Sequence, residues 1–67
     1  MTWPDVLVPL MSGHDLADHQ SAWAMEQILA GEATPAQVAA FAVALRAKGE
    51  TVDEVTSLVD TMYAHAT

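Results

Sequence analysis

The sequence of 67 residues contains no cysteine, only two basic residues, Arg46 and Lys48, and no long apolar run. The absence of cysteine excludes a disulfide brace and is consistent with a reducing compartment. Nine acidic residues against two basic ones give a net charge of −7. Binding to nucleic acid requires clustered cations that replace phosphate counterions, so we expect no nucleic-acid partner.

Features of membrane proteins are missing as well. No apolar run reaches the roughly 20 residues that span a bilayer, and the N-terminus lacks the layout of a signal peptide. Anionic membrane surfaces repel an acidic chain. We therefore expect a cytoplasmic protein with no membrane partner.

Apolar residues, many of them alanine, make up 52% of the sequence. A chain of this length buries only roughly 60% of the surface that its unfolded form exposes. Without a disulfide or a metal, such a small domain depends on oligomerisation or on close helix packing.

Capping signals and glycines divide the chain into helices. Thr34 with Gln37, and Thr51 with Glu54, have the spacing of capping boxes. The isolated glycines are typical helix stops. The sequence predicts an all-α fold, a compact bundle of four short helices in a single domain 1–67. The expected helices cover approximately residues 3–12, 18–30, 35–48 and 52–65.

The recurrence of apolar residues predicts which side of each helix is buried. In the fourth helix, Glu54 and Thr61 belong to a polar face that we expect in solvent. Asp18 is the expected cap of the second helix, and Pro9 should kink or end the first. The predicted buried residues are Trp3, Val6, Leu7, Leu10 and Met11; Ala22, Met25, Ile28 and Leu29; Val38, Phe41, Ala42 and Leu45; and Val52, Val55, Leu58, Val59 and Met62.

No group of residues has the pattern of a catalytic or metal site. His14 and His19 lie near Asp15 and Asp18, but their spacing matches no set of metal ligands, so a solvated helix start is expected. None of the serines has the sequence context of an activated nucleophile. We therefore predict no catalytic, cofactor-binding or metal-binding residue in this chain.

The sequence supports a role in a protein interface better than a catalytic or metal-binding role. The third helix is apolar on several faces, which is typical of a helix buried on more than one side. Trp23 lies about 100° from the apolar stripe of its helix, and tryptophan is enriched at protein interfaces. The interface candidates are Trp23, Phe41, Val43 and Ala44.

A family resemblance is carried by two runs, Gly31–Phe41 (GEATPAQVAAF) and Ala44–Thr51 (ALRAKGET), followed by Asp53–Val55 (DEV). Further agreement comes from Trp23–Met25 with Ile28, and from Met62 with His65 and Ala66. Together they resemble the N-terminal helical domain of the anthranilate phosphoribosyltransferases, in glycosyltransferase family 3, and look like the actinobacterial type. The resemblance covers essentially the whole chain.

The resemblance implies a parent enzyme that transfers phosphoribose to anthranilate, with magnesium, in tryptophan biosynthesis. The phosphate-binding and catalytic segments of that family belong to a following α/β domain, so none of their residues is carried over onto this chain. The helical domain is expected to act as scaffold and homodimer contact. A free-standing helical module that binds a partner helix, and the helical domain of a pyrimidine nucleoside phosphorylase, are the alternatives.

Overall fold

The computed structural model describes residues 1–66 and contains four α-helices with no strand in that range. The helices are α1 (Trp3–Met11), α2 (Asp18–Leu29), α3 (Pro35–Lys48) and α4 (Val52–Ala66). The predicted all-α class is confirmed, and every helix boundary lies within one residue of its predicted position. Thr67, the last residue of the predicted domain, lies outside the described residues. No helix within 1–66 is long and apolar enough to cross a membrane.

Local capping chemistry explains these boundaries. The Thr34 hydroxyl accepts from the Gln37 N–H at 3.2 Å, and the Gln37 side chain accepts from the Thr34 N–H at 2.9 Å. Thr51 and Glu54 form the same reciprocal pair at the start of α4. Gly49 ends α3 with a φ of +92°, a conformation that side chains with a Cβ rarely adopt.

The start of α2 differs from the prediction. Asp18 is the first residue of the helix, and Ala17 takes the capping position. Ala17 has no side-chain oxygen, so only half of a capping box forms: its N–H donates to Gln20 Oε1 at 2.8 Å. Nor does α1 end at Pro9, since it continues for two residues to Met11.

The four helices pack through three main contacts: α2 with α4, α1 with α3, and α1 with α2. An aromatic cluster lies inside, where the Trp3 ring makes edge contacts with Trp23 at 5.1 Å and with Phe41 at 5.9 Å between ring centroids. The buried apolar residues are Trp3, Val6, Leu10, Leu16, Ala24, Phe41 and Leu45.

The predicted core needs correction in the first three helices. Met11 is 71% exposed, and Leu29 and Ala42 are exposed too. In α2 the buried face is shifted, because Ser21 and Ala24 are buried whereas Ala22 and Met25 are only half-buried. The expectation that α3 is buried on several sides is wrong within this chain. It buries Phe41 and Leu45, and its remaining apolar faces lie largely at the surface.

The fourth helix is turned the opposite way from the prediction. Its buried residues are Glu54 and Thr61, which were expected in solvent. The predicted buried side is exposed apart from Leu58, which is half-buried against the core. Hydrophobic periodicity therefore identifies the helix correctly and its inward face wrongly.

Candidate functional site

The interface candidates fall into two groups in the structure. Phe41 is only 4% exposed and lies in the core, so it has no surface to offer a partner. Trp23 is half-buried and packs on Trp3 in the same core. Val43 is 68% exposed, and the half-buried Ala44 lies beside it on α3. Phe41 is therefore inside the core, whereas Val43 is exposed and Ala44 and Trp23 are each partly exposed.

Val43 and Ala44 belong to a shallow apolar groove between α1 and α3, of about 500 Å³. We call it the α1/α3 surface. Its lining contains no acidic residue, in a protein with a net charge of −7. It is formed by Leu10, Met11, Gly13, Ala40, Val43, Ala44, Ala47 and Lys48.

Alanines make the α3 side of this groove flat. Ala40, Ala44 and Ala47 are spaced by four and three residues, so they share one side of the helix. Small side chains allow the backbone of a packed helix to come near the lower end of the usual 8–10 Å interaxial distance. The α1/α3 surface is thus suited to helix–helix contact.

Beside this surface lies a buried ion pair that the sequence analysis did not identify. The Lys48 side chain is 3% exposed, and its Nζ lies 2.7 Å from Glu54 Oε1 and 2.9 Å from Asp15 Oδ1. The same Nζ donates to the Gly49 carbonyl at 2.8 Å. All three ammonium donors therefore have an acceptor.

Both carboxylate oxygens of Glu54 also have hydrogen-bond partners. Its Oε2 accepts from the Leu16 N–H at 2.6 Å, and its Oε1 accepts from the Thr51 N–H at 2.8 Å. Burial alone would raise the pKa of Glu54, but these hydrogen bonds and Lys48 outweigh it and hold the pKa below its ordinary value. Burial would lower the pKa of Lys48, and hydrogen bonds to Glu54 and Asp15 raise it instead. The pair is charged and fully bonded, which leaves neither group free for proton transfer.

Within the described residues, histidines and acidic side chains are not grouped as metal ligands. His14 and His19 are both exposed. A groove of about 440 Å³ between α2 and α4 is lined by several carboxylates, among them Asp18 and Asp60. Across residues 1–66 no three His, Asp or Glu side chains are placed to hold one ion.

A second apolar surface runs along the outside of α4, and we call it the α4 stripe. Val52 is 82% exposed and Tyr63 is 73% exposed. By the 100° per residue of an α-helix the stripe covers an arc of about 100°. It consists of Val52, Val55, Val59, Met62, Tyr63 and Ala66.

Comparison with known proteins gives a match along nearly the whole chain. Residues 4–66 match the family model described as the glycosyl transferase family, helical bundle domain. The chain is 66% identical over 65 residues to an anthranilate phosphoribosyltransferase of Streptomyces griseus subsp. griseus. It is 68% identical over 66 residues to the protein of that name from a Nocardioides species, and 57% over 65 residues to that of Acidothermus cellulolyticus.

The matches cover nearly all of this chain but only a small share of each relative. The matches extend over 97–98% of this chain but only 18–19% of each relative. The chain therefore spans less than one fifth of the length of the curated relatives it matches.

Proposed function

Because this chain belongs to the glycosyl transferase family as its helical bundle domain, we propose that it is the N-terminal domain of an anthranilate phosphoribosyltransferase and serves there as scaffold and dimerisation domain. The parent enzyme transfers phosphoribose to anthranilate in tryptophan biosynthesis, in the cytoplasm. Its magnesium and its catalytic groups lie in an α/β domain outside this chain. The names of the relatives support this choice over a pyrimidine nucleoside phosphorylase or a free-standing module.

The dimerisation role rests on the α1/α3 surface. Met11 and Val43, exposed on its two sides, together with the alanines of α3, form an apolar patch without a carboxylate. Exposed apolar patches of this kind mark interaction sites in small domains. A partner helix can cover them and remove Met11 and Val43 from water.

A second copy of the same surface fits this patch for an electrostatic reason. Most other surfaces of this protein carry carboxylates, and two copies brought together there repel one another at short range. The α1/α3 surface avoids that repulsion on both partners. A two-fold axis through the groove pairs the patch with itself, which is the commonest arrangement in homodimers.

Sedimentation equilibrium over a range of protein concentrations tests the proposal. We expect a reversible dimer for this chain. Val43→Glu should weaken dimerisation by about tenfold or more, since it buries an unpaired carboxylate. Val52→Glu is the matched control, because it makes the same chemical change at an exposed valine of α4.

The outcomes separate the possibilities. A dimer that is weakened by Val43→Glu and unaffected by Val52→Glu supports the proposal. A strict monomer at every concentration overturns self-association through this bundle. Equal weakening by both variants assigns the contact to a different surface. Phosphoribosyl transfer by the pure chain should be undetectable, and measurable turnover contradicts the scaffold role.

A further inference from the structure

Helix α4 carries two sets of residues with the spacing of an inward face, and the two sets are offset by one residue. The set that the structure turns inward is Glu54, Leu58 and Thr61. The set that follows it, on the α4 stripe, is Val55, Val59 and Met62. Each member of the second set is between 38% and 42% exposed. The more apolar set is thus the one that the fold leaves in contact with water.

A rotation of α4 by one residue position exchanges the two sets. Successive residues of an α-helix are 100° apart around its axis and about 1.5 Å apart along it. A rotation by about 100° therefore brings Val55 to the place of Glu54, and the other two pairs exchange in the same way. We call the observed arrangement the native register and the rotated one the shifted register.

The packing of the bundle permits this rotation without disturbing the aromatic cluster. Helix α4 packs mainly on α2, whereas α1 packs on both α2 and α3. The rings in contact, Trp3 with Trp23 and Phe41, lie on α1, α2 and α3. The shifted register therefore leaves the three helices that hold the cluster in place.

Bonds between α4 and the rest of the chain distinguish the two registers. Glu54 accepts from the Leu16 N–H at 2.6 Å and from Lys48 Nζ at 2.7 Å. Rotation carries the carboxylate away from both donors, so these bonds form only in the native register. The Thr51–Glu54 capping box lies within the start of α4 and turns with the helix, so it favours neither register.

Burial makes the ion pair the deciding contact. The side chains of Lys48 and Glu54 are both buried, and a buried charge that loses its partner is strongly disfavoured. The Ser57 hydroxyl also bonds the Asp18 carbonyl across the α2/α4 contact, but that bond is exposed and water can replace it. The native register is therefore held by the ion pair, in opposition to the burial of the more apolar set.

We propose that the Lys48–Glu54 pair is a conformational device that selects the native register, and that the chain adopts the shifted register once the charge of Lys48 is removed. Without that charge, the native register buries an uncompensated carboxylate. The shifted register exposes Glu54 and buries Val55, Val59 and Met62. Buried polar groups fix helix register in coiled coils in the same way, at a cost in stability. The inference does not depend on dimerisation or on the parent enzyme.

Footprinting of Lys48→Met, read by mass spectrometry, tests the proposal, because methionine keeps an unbranched side chain and removes the charge. Hydroxyl radicals report the exposure of Met62, and carbodiimide coupling reports that of Glu54. We expect the Met62 rate to fall several-fold and Glu54 coupling to rise several-fold, at unchanged helix content. Arg46→Met is the matched control, since it removes the other cation in the last turn of α3, from an exposed pair, and should change neither rate.

Only opposite changes at the two reporters support the proposal. Unchanged rates at Met62 and Glu54 in folded Lys48→Met show that the native register is kept, and they overturn it. A rise at both residues shows that α4 leaves the bundle, which overturns it too. If Lys48→Met is unfolded in buffer, the measurements are repeated in trimethylamine N-oxide, which favours compact states. A chain that remains unfolded there contradicts a second stable register.

Two glutamate substitutions test the same exchange through stability. Thr61 is buried and Met62 is exposed in the native register. In urea unfolding of the natural chain, Thr61→Glu should lower the folding equilibrium constant about tenfold or more, and Met62→Glu by less than about threefold. In the Lys48→Met background the two effects should exchange, because Met62 is then inside and Thr61 outside. The same order of effects in both backgrounds overturns the shifted register.

Discussion

Gln20 Nε2 donates a hydrogen bond to the main-chain carbonyl of Asp5 at 3.1 Å. That carbonyl would normally accept from the N–H four residues later in α1, but the residue there is Pro9, which has none. The other end of the same amide, Oε1, caps α2 through the Ala17 N–H. One side chain thus repairs the proline defect in α1 and begins α2.

Gln20→Ala should therefore cost more stability than the loss of a helix cap alone. We expect the free energy of unfolding in urea to fall by about 1–2 kcal/mol, from one cap and one carbonyl left without its partner. Gln37→Ala is the matched control, since it removes the same cap contact from α3 and no tertiary bond. In a Pro9→Ala background the N–H of Ala supplies the missing donor, and the cost of Gln20→Ala should shrink to that of Gln37→Ala. Equal costs in both backgrounds contradict the repair.

Removing one partner of the buried ion pair should strongly destabilise the bundle. Glu54→Gln leaves Lys48 without its closest counter-charge, and we expect a loss of about 3 kcal/mol in the free energy of unfolding. Breaking the exposed pair of Arg46 and Glu50, also at the C-terminal end of α3, by Glu50→Gln should have no measurable effect. Similar losses in the two variants would show that burial does not strengthen the Lys48 pair.

The same pair predicts how stability depends on pH. The pKa of Glu54 in the folded protein lies below its ordinary value of 4.5, so its contribution is complete above that value and is lost as the pH falls through the folded pKa. The pKa of Lys48 lies above its ordinary value of 10.5, so its contribution is complete below that value and is lost as the pH rises through the folded pKa. The free energy of unfolding, measured in urea across this pH range, should therefore fall at both ends, with an acid limb from Glu54 and a basic limb from Lys48. Glu54→Gln should flatten the acid limb, and an unchanged acid limb would contradict the assignment.

Substitution of Ser21 by alanine should raise the free energy of unfolding, whereas Gln20→Ala and Glu54→Gln should lower it. Its hydroxyl is buried in α2 and has no hydrogen-bond partner among the described residues. Ser21→Ala removes an unsatisfied polar atom and improves helix propensity, so we expect about 1 kcal/mol of added stability. Ser57→Ala is the control, because it removes a hydroxyl that is bonded to the Asp18 carbonyl. A loss of stability in Ser21→Ala would reveal a hydroxyl with a partner.

Contacts between residues close together in the chain could be predicted from the sequence. Contacts between residues far apart in the chain could not. The Thr51–Glu54 capping box spans three residues and was predicted correctly. The bonds from Glu54 to Lys48 and to the Leu16 N–H join residues six and 38 positions apart. No local pattern indicates that α1 and α2 bring Leu16 to that carboxylate. Val43 was an interface candidate because it lies on an apolar face of α3 outside the predicted stripe of that helix.

The sequence by itself determined the number of helices, their ends and the all-α class. Caps, prolines and glycines act over three or four residues, and their energetics do not depend on how the helices later pack. Only the tertiary structure decided which side of each helix points inward. In α4, binding Glu54 to Lys48 and Leu16 outweighs burying Val55 and Val59, since a buried carboxylate must be paired whereas an apolar face can be covered by another molecule. In this small bundle, pairing a buried carboxylate decided the orientation of α4, so its most apolar face does not lie inside.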